Sequence, residues 1–129
     1  MPQTKHALLV ENDQNMAGEL TDLLKGIGFR VTLLEEPTEA LGALESHEYE
    51  VALMNMQLPD QSWQNTLKMV RDASKSTTII MIARAPGEND VRTALNAGSY
   101  AVLERPLTQD QLTSLIAPKN SGMFVALRD

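Results

Sequence analysis

With 129 residues, 43% of them hydrophobic and 22% charged, the chain can bury one sizeable core and reads as a single globular domain. Seventeen acidic against eleven basic residues leave a net charge of −6, which argues against direct nucleic-acid binding, because a phosphate-backbone binder needs a concentrated basic face. The lack of cysteine excludes disulfides, thiolate metal sites and cysteine nucleophiles and fits a reducing cytoplasm, while no apolar run reaches the roughly 20 residues of a membrane helix and Met1 to Ala7 lacks the apolar core of a secretory signal.

The chain then alternates strand-like and helix-like patterns. His6 to Val10 is a short apolar run leading into the polar Glu11-Asn12-Asp13, and Met16, Leu20, Leu23, Leu24 and Ile27 follow at helical spacing with Gly28 as the stop. Phe29 to Leu34 is rich in β-formers, and Pro37 opens a second helix carrying Ala40, Leu41 and Leu44 on one face. Val51 to Asn55 is a third strand, followed by a helical stripe of Trp63, Leu67, Val70 and Ala73. Thr77 to Ile82 is a β-branched fourth strand; Asn89 or Asp90 caps a helix with Val91, Ala94 and Leu95, stopped by Gly98. Ala101 to Leu103 is a short fifth strand, and Thr108 opens a last helix with Leu112, Leu115 and Ile116. Strands and helices alternating at these lengths imply an α/β domain, a doubly wound parallel sheet with helices on both faces and right-handed crossovers. The domain is expected over 1–117. Residues 118–129 read as a linker, or as a C-terminal extension leading to an output domain, although Met123 to Leu127 is too apolar for a plain linker.

Val51 to Asn55 is apolar enough to be buried on both faces, and Pro59-Asp60 closes it with turn chemistry. In an open parallel sheet the crevice beyond the carboxyl ends of the central strands is where ligands bind, so Asn55 is the first candidate functional residue. Its bland reading is a strand-end amide satisfying backbone groups. Asp13 sits just before a helical pattern and suits an N-cap better than a ligand role. His6 and His47 are expected far apart and not as a metal pair. Met16, Met54, Met56, Met69 and Met81 read as core filler or crevice neighbours. Trp63, placed in a loop near the crevice mouth, either packs on the third helix or serves the site, by covering it or by anchoring a partner.

The run Leu8-Leu9-Val10-Glu11-Asn12-Asp13, then Leu53-Met54-Asn55 with Leu58-Pro59-Asp60, then Ala94-Leu95-Asn96-Ala97-Gly98, then Arg105-Pro106 resembles the receiver domain of bacterial two-component response regulators over about residues 5 to 117. The resemblance implies a flavodoxin-like fold of strand order 2-1-3-4-5. It also implies a site in which two acids after the first strand hold Mg²⁺, an Asp ending the third strand accepts a phosphoryl group, a Thr or Ser ends the fourth, and a Lys precedes Pro after the fifth, with an aromatic on the fifth strand completing the switch. This chain departs from that pattern. Glu11 and Asn12 stand at the acidic pair, Asn55 at the acceptor, Ala83 at the Thr/Ser, Arg105 at the Lys and Val102 at the switch aromatic, and Trp63 takes the place of a small turn residue. A resemblance-based reading also allows a cis bond before Pro106.

Phosphoryl transfer to a protein needs an oxygen nucleophile and a cation on the phosphoryl oxygens, and an amide oxygen is a poor nucleophile. With Glu11, two neutral amides and Asp13 as the donor set, Mg²⁺ binding is expected to be weak or absent and no metal or cofactor is assigned. Arg105 is expected to pair with Glu11 or to donate to Asn55, an attraction of roughly 4 kcal/mol at about 4 Å and an effective dielectric near 20 before desolvation. These readings give a non-enzymatic pseudo-receiver, cytoplasmic and without membrane contact, that acts in phosphorelay signalling through a protein partner, its own output domain or a homodimer. The resemblance places the interaction face on the fourth helix, fifth strand and fifth helix, with Val91, Arg92, Leu95, Val102, Glu104, Gln111 and Leu115. The alternatives are phosphorylation at a neighbouring acid, Asp60 or Asp13, and small-molecule sensing in the same crevice.

Overall fold

Side chains alternating along each strand build two apolar layers, one on each face of a five-stranded parallel sheet. The computed structural model describes residues 5–57 and 62–116. Within them run β1 (Lys5–Val10), α1 (Gln14–Gly26), β2 (Phe29–Leu34), a 3₁₀ turn (Pro37–Glu39) leading into α2 (Ala40–Ser46), β3 (Val51–Asn55), α3 (Trp63–Ala73), β4 (Thr78–Ala83), α4 (Glu88–Asn96), β5 (Ala101–Glu104) and α5 (Gln109–Ile116). The strand order is β2-β1-β3-β4-β5, all neighbours parallel, as the resemblance implied. Pro59, Asp60 and the extension 118–129 lie outside the described residues.

Leu8, Val10, Ala52, Met54, Ile79 and Met81 face α2, α3 and α4, where Ala40, Leu67, Val70 and Ala94 close over them. The intervening Ala7, Leu9, Val51, Leu53, Ile80 and Ile82 face α1 and α5, covered by Leu20, Leu24 and Leu112. Every residue of β3 is buried, which explains its unbroken apolar run. Among the methionines, Met54, Met56 and Met81 are core, and Met16 and Met69 pack partly buried against it.

Local chemistry sets the element ends. Asp13 accepts from the backbone N–H of Asn15 and Met16 at 2.9 and 3.1 Å and caps α1. Gly28, at φ 100°, turns the chain from α1 into β2 in a region an L side chain rarely enters. Two readings need correction. Helix α4 is capped by Gly87, not by Asn89 or Asp90, because the acidic Glu88 and Asp90 already occupy its first turn, where they complement the helix dipole. On α2, Leu41 is 39% exposed and does not share the buried stripe of Ala40. Among the described residues no helix is long and apolar enough to cross a membrane.

Candidate functional site

The sheet delivers four chain segments to one edge. Residue Glu11 follows the end of β1, Asn55 ends β3, Ala83 ends β4 and Arg105 follows β5; the register aligns Val10 with Met54, Asn55 with Ile82 and Ala83 with Glu104. Backbone bonds extend this order past the strands, Glu11 N–H to Leu34 C=O at 3.0 Å, Met56 N–H to Ile82 C=O at 2.8 Å and Arg105 N–H to Ala83 C=O at 2.9 Å. The crevice is therefore held by the sheet rather than by loops alone.

Three polar side chains meet there. Asn55 Nδ2 donates to Glu11 Oε2 at 2.9 Å, and the Asp13 N–H donates to the same oxygen at 3.1 Å. Arg105 Nη2 stands 3.5 Å from Glu11 Oε1. The Glu11 side chain is fully buried and that of Arg105 is only 10% exposed, so solvent does little to screen the pair. At this separation and an effective dielectric near 20 the attraction is roughly 5 kcal/mol, much of it offset by desolvating both charges. Among the described residues Glu11 Oε1 and Arg105 Nε have no hydrogen-bond partner, which marks the pair as ionic contact without fork geometry. Both polar atoms of the Asn55 amide are engaged: its Oδ1 accepts from the Gln57 N–H at 2.8 Å.

Of the two expected partners of Arg105, the structure selects Glu11. Asn12 is exposed, Ala83 is buried at the end of β4 without any polar group to offer, and Val102 packs partly buried toward the α2–α3–α4 side. Asp13 faces its own helix as a cap, not the crevice. The peptide bond before Pro106 is cis. Trp63 is the first residue of α3, following the Ser62 cap, and packs partly buried against the core, so its structural reading holds and the loop placement does not. Gln57 was missed by sequence reasoning: besides its bond to Asn55 it accepts from the Arg84 N–H at 3.3 Å, tying the β3 exit to the β4 exit. Nothing in the sequence marks that residue, because both contacts arise from the strand register.

This donor set does not fit Mg²⁺. One buried carboxylate is already engaged by two N–H donors and faced by a guanidinium, and the other first-strand acid is a helix cap. An open groove of about 360 Å³ reaches the crevice only at Glu11 and Asn12 and otherwise runs along α1 and β2, past Ala17, Thr21 and Leu33; Asn55 and Arg105 do not line it. The expected separation of His6 and His47 is wrong: their ring centroids are 6.3 Å apart, with Tyr49 at the same distance from each. Strand β1 and the α2–β3 connection meet at the amino ends of the strands, a tertiary neighbourhood that spacing could not reveal. On the expected interaction face, Arg92, Leu95, Glu104 and Gln111 are exposed, and Val91, Val102 and Leu115 are half-buried. Tyr100, 52% exposed beside it, was not foreseen.

A family model described as the response regulator receiver domain matches residues 7–117. The transcription factor SKN7 of Saccharomyces cerevisiae is 28% identical over 111 residues, 86% of this chain and 18% of that protein. The cell cycle response regulator CtrA of Brucella ovis is 26% identical over 109 residues, 84% of this chain and 47% of that one. The chain thus spans less than half the length of these relatives. A solved receiver domain protein (CheY-like) from Methanospirillum hungatei superposes with a TM-score of 0.78 at 23% identity, covering 85% of this chain and 88% of that one.

Proposed function

The chain belongs to the response regulator receiver domain family, and we propose that within two-component signalling it is a pseudo-receiver, a phosphorylation-independent module for protein interaction or dimerisation and not an enzyme. The observation that carries this reading is the bond from Asn55 Nδ2 to Glu11 Oε2 at 2.9 Å. At the end of β3 an amide fills the place where phosphotransfer needs a nucleophilic oxygen, and its donor group is committed to the buried carboxylate of Glu11. Arg105 supplies a fixed positive charge on the other carboxylate oxygen, so the pocket is nearly neutral without an ion. Such a site has no phosphoryl group to gain or lose. Its conformational state is then set by partners, by a homodimer through the α4–β5–α5 face, or by an output domain elsewhere in the protein, in each case through differential binding to one state.

Asp13 is engaged as the cap of α1 through Oδ1, so the acid beside the crevice is turned toward its own helix. The test is incubation with acetyl phosphate and Mg²⁺ followed by intact mass, paired with a thermal melt in Mg²⁺ and beryllofluoride, a phosphoryl mimic. No added mass and an unchanged midpoint are expected. An added phosphoryl mass, or a midpoint raised by several degrees, would show a working acceptor and overturn the reading.

A further inference from the structure

We propose that His6 and His47 form a binding site for an imidazole-preferring divalent transition metal, Zn²⁺, Ni²⁺ or Cu²⁺, at the end of the sheet opposite the Glu11–Arg105 crevice. His6 is the second residue of β1 and half-buried; His47 follows the last residue of α2 and is exposed. Their ring centroids lie 6.3 Å apart with the planes inclined by 43°. The framework beneath them is fixed. The Glu50 N–H donates to His6 C=O at 2.9 Å and the His47 N–H to Ala43 C=O at 3.0 Å. The buried Tyr49 ring backs both imidazoles, and its hydroxyl donates to Thr32 Oγ1 at 3.3 Å, which leaves the tyrosine oxygen engaged away from the pair.

The geometry suits a shared ion after a small closure. A metal–nitrogen distance of about 2.0–2.1 Å places the ion about 3.2 Å from each ring centre, and a tetrahedral angle then brings the centroids to about 5 Å. The pair must close by about 1 Å, a side-chain rotation that the exposed His47 can make without moving the backbone. Among the described residues no third histidine, cysteine or carboxylate completes a cluster. Water therefore fills the remaining positions, and the ion is exchangeable rather than structural. Two imidazoles select borderline metals in the order that places Cu²⁺ above Ni²⁺ and Zn²⁺, and they offer nothing to Mg²⁺ or Ca²⁺, which demand oxygen. A bound ion would tie β1 to the α2–β3 connection across 41 residues of chain (47 minus 6). His6 and Val10 are four residues apart on β1, about 13 Å of strand, so the site is independent of what the crevice does.

The test uses the untagged chain at pH 7.5, titrated with ZnCl₂ or NiCl₂ alone by calorimetry and followed by the histidine ring proton resonances. One equivalent is expected to bind, shifting or broadening the signals of both histidines and raising the melting midpoint, with MgCl₂ doing neither. His47→Ala, at an exposed position, is expected to keep the metal-free midpoint and to weaken binding at least tenfold, and His6→Gln to weaken it similarly. Absence of saturable Zn²⁺ or Ni²⁺ binding, or binding that His47→Ala leaves within twofold, would overturn the site.

Discussion

A carboxylate in place of the Asn55 amide would face Glu11 Oε2 across 2.9 Å with both groups buried, and among the described residues only Arg105, 3.5 Å from the other oxygen, would oppose the repulsion. The amide instead donates to Glu11 and accepts from Gln57, so both of its polar atoms have partners in the pocket. Asn55→Asp is therefore expected to lower stability by about 2–3 kcal/mol, the cost of a buried charge without its donor. Removing the guanidinium is expected to be costlier. Arg105→Ala leaves Glu11 buried and unopposed, and breaking such a pair costs roughly 3–5 kcal/mol, about 10 °C or more in melting midpoint for a domain of this size. Thermal melts of the two variants beside the parent check both values, and an Arg105→Ala midpoint within a degree of the parent would show that Glu11 does not depend on its partner. Glu11, Asn55 and Arg105 were all legible in the sequence, because each ends or directly follows a strand and the resemblance aligned them. Gln57 was not, since its role depends on which backbone N–H the neighbouring strand brings within reach.

At the scale of elements, a single arginine joins three segments. Arg71, near the end of α3, donates through Nη1 to Gly98 C=O at 3.1 Å and through Nη2 to Ser74 C=O at 3.1 Å and to Thr77 C=O. Its stem lies over Gly98, where a Cβ would come within 2.6 Å of Arg71 Cδ, and Gly98 holds φ at 114°. Thr77 is itself tied to Tyr49 C=O at 2.8 Å, so the β4 entrance, the α4–β5 turn and the β3 entrance share one polar cluster. Gly98→Ala combines left-handed backbone strain with a clash against Arg71, and about 2 kcal/mol of destabilisation is expected in denaturant melts. Ordinary surface behaviour, within about 0.5 kcal/mol of the parent, would show that the turn relaxes freely. The sequence identified Gly98 as a helix stop but gave no sign of Arg71, because its three acceptors are backbone carbonyls that any residue could present. The bounds of β2 and β3 were read to the residue, since their β-branched and apolar runs are closed by polar or turn residues. The start of α4 was misread for the converse reason: Glu88, Asn89 and Asp90 offer several capping side chains, while the actual cap, Gly87, has none. His6 and His47 were misjudged because 40 intervening residues say nothing of proximity once β1 and β3 become neighbours.

Across the whole molecule, the positions that depart from the receiver pattern are carried by the strand ends of a sheet whose two cores are complete. Backbone register places Glu11, Asn55, Ala83 and Arg105 where they are, and side-chain identity alone decides what they do there. On the proposed reading, phosphotransfer chemistry should be restorable by substitution, but only jointly, because these residues are in contact and their effects couple. Asn55→Asp alone supplies an acceptor yet leaves Arg105 where a metal-assisted phosphoryl group needs room; Arg105→Lys alone frees room without an acceptor. Combining Asn12→Asp, Asn55→Asp, Ala83→Thr and Arg105→Lys restores two carboxylates beside Glu11, a hydroxyl at the end of β4 and a compact ammonium after β5. The quadruple variant is expected to gain several degrees in melting midpoint from Mg²⁺ with beryllofluoride, with the parent and the Asn55→Asp single variant unmoved, since a ligand stabilises only a fold that binds it. A quadruple variant that folds yet ignores the mimic would place the loss in the backbone around the crevice, and the pocket could no longer be explained by its side chains.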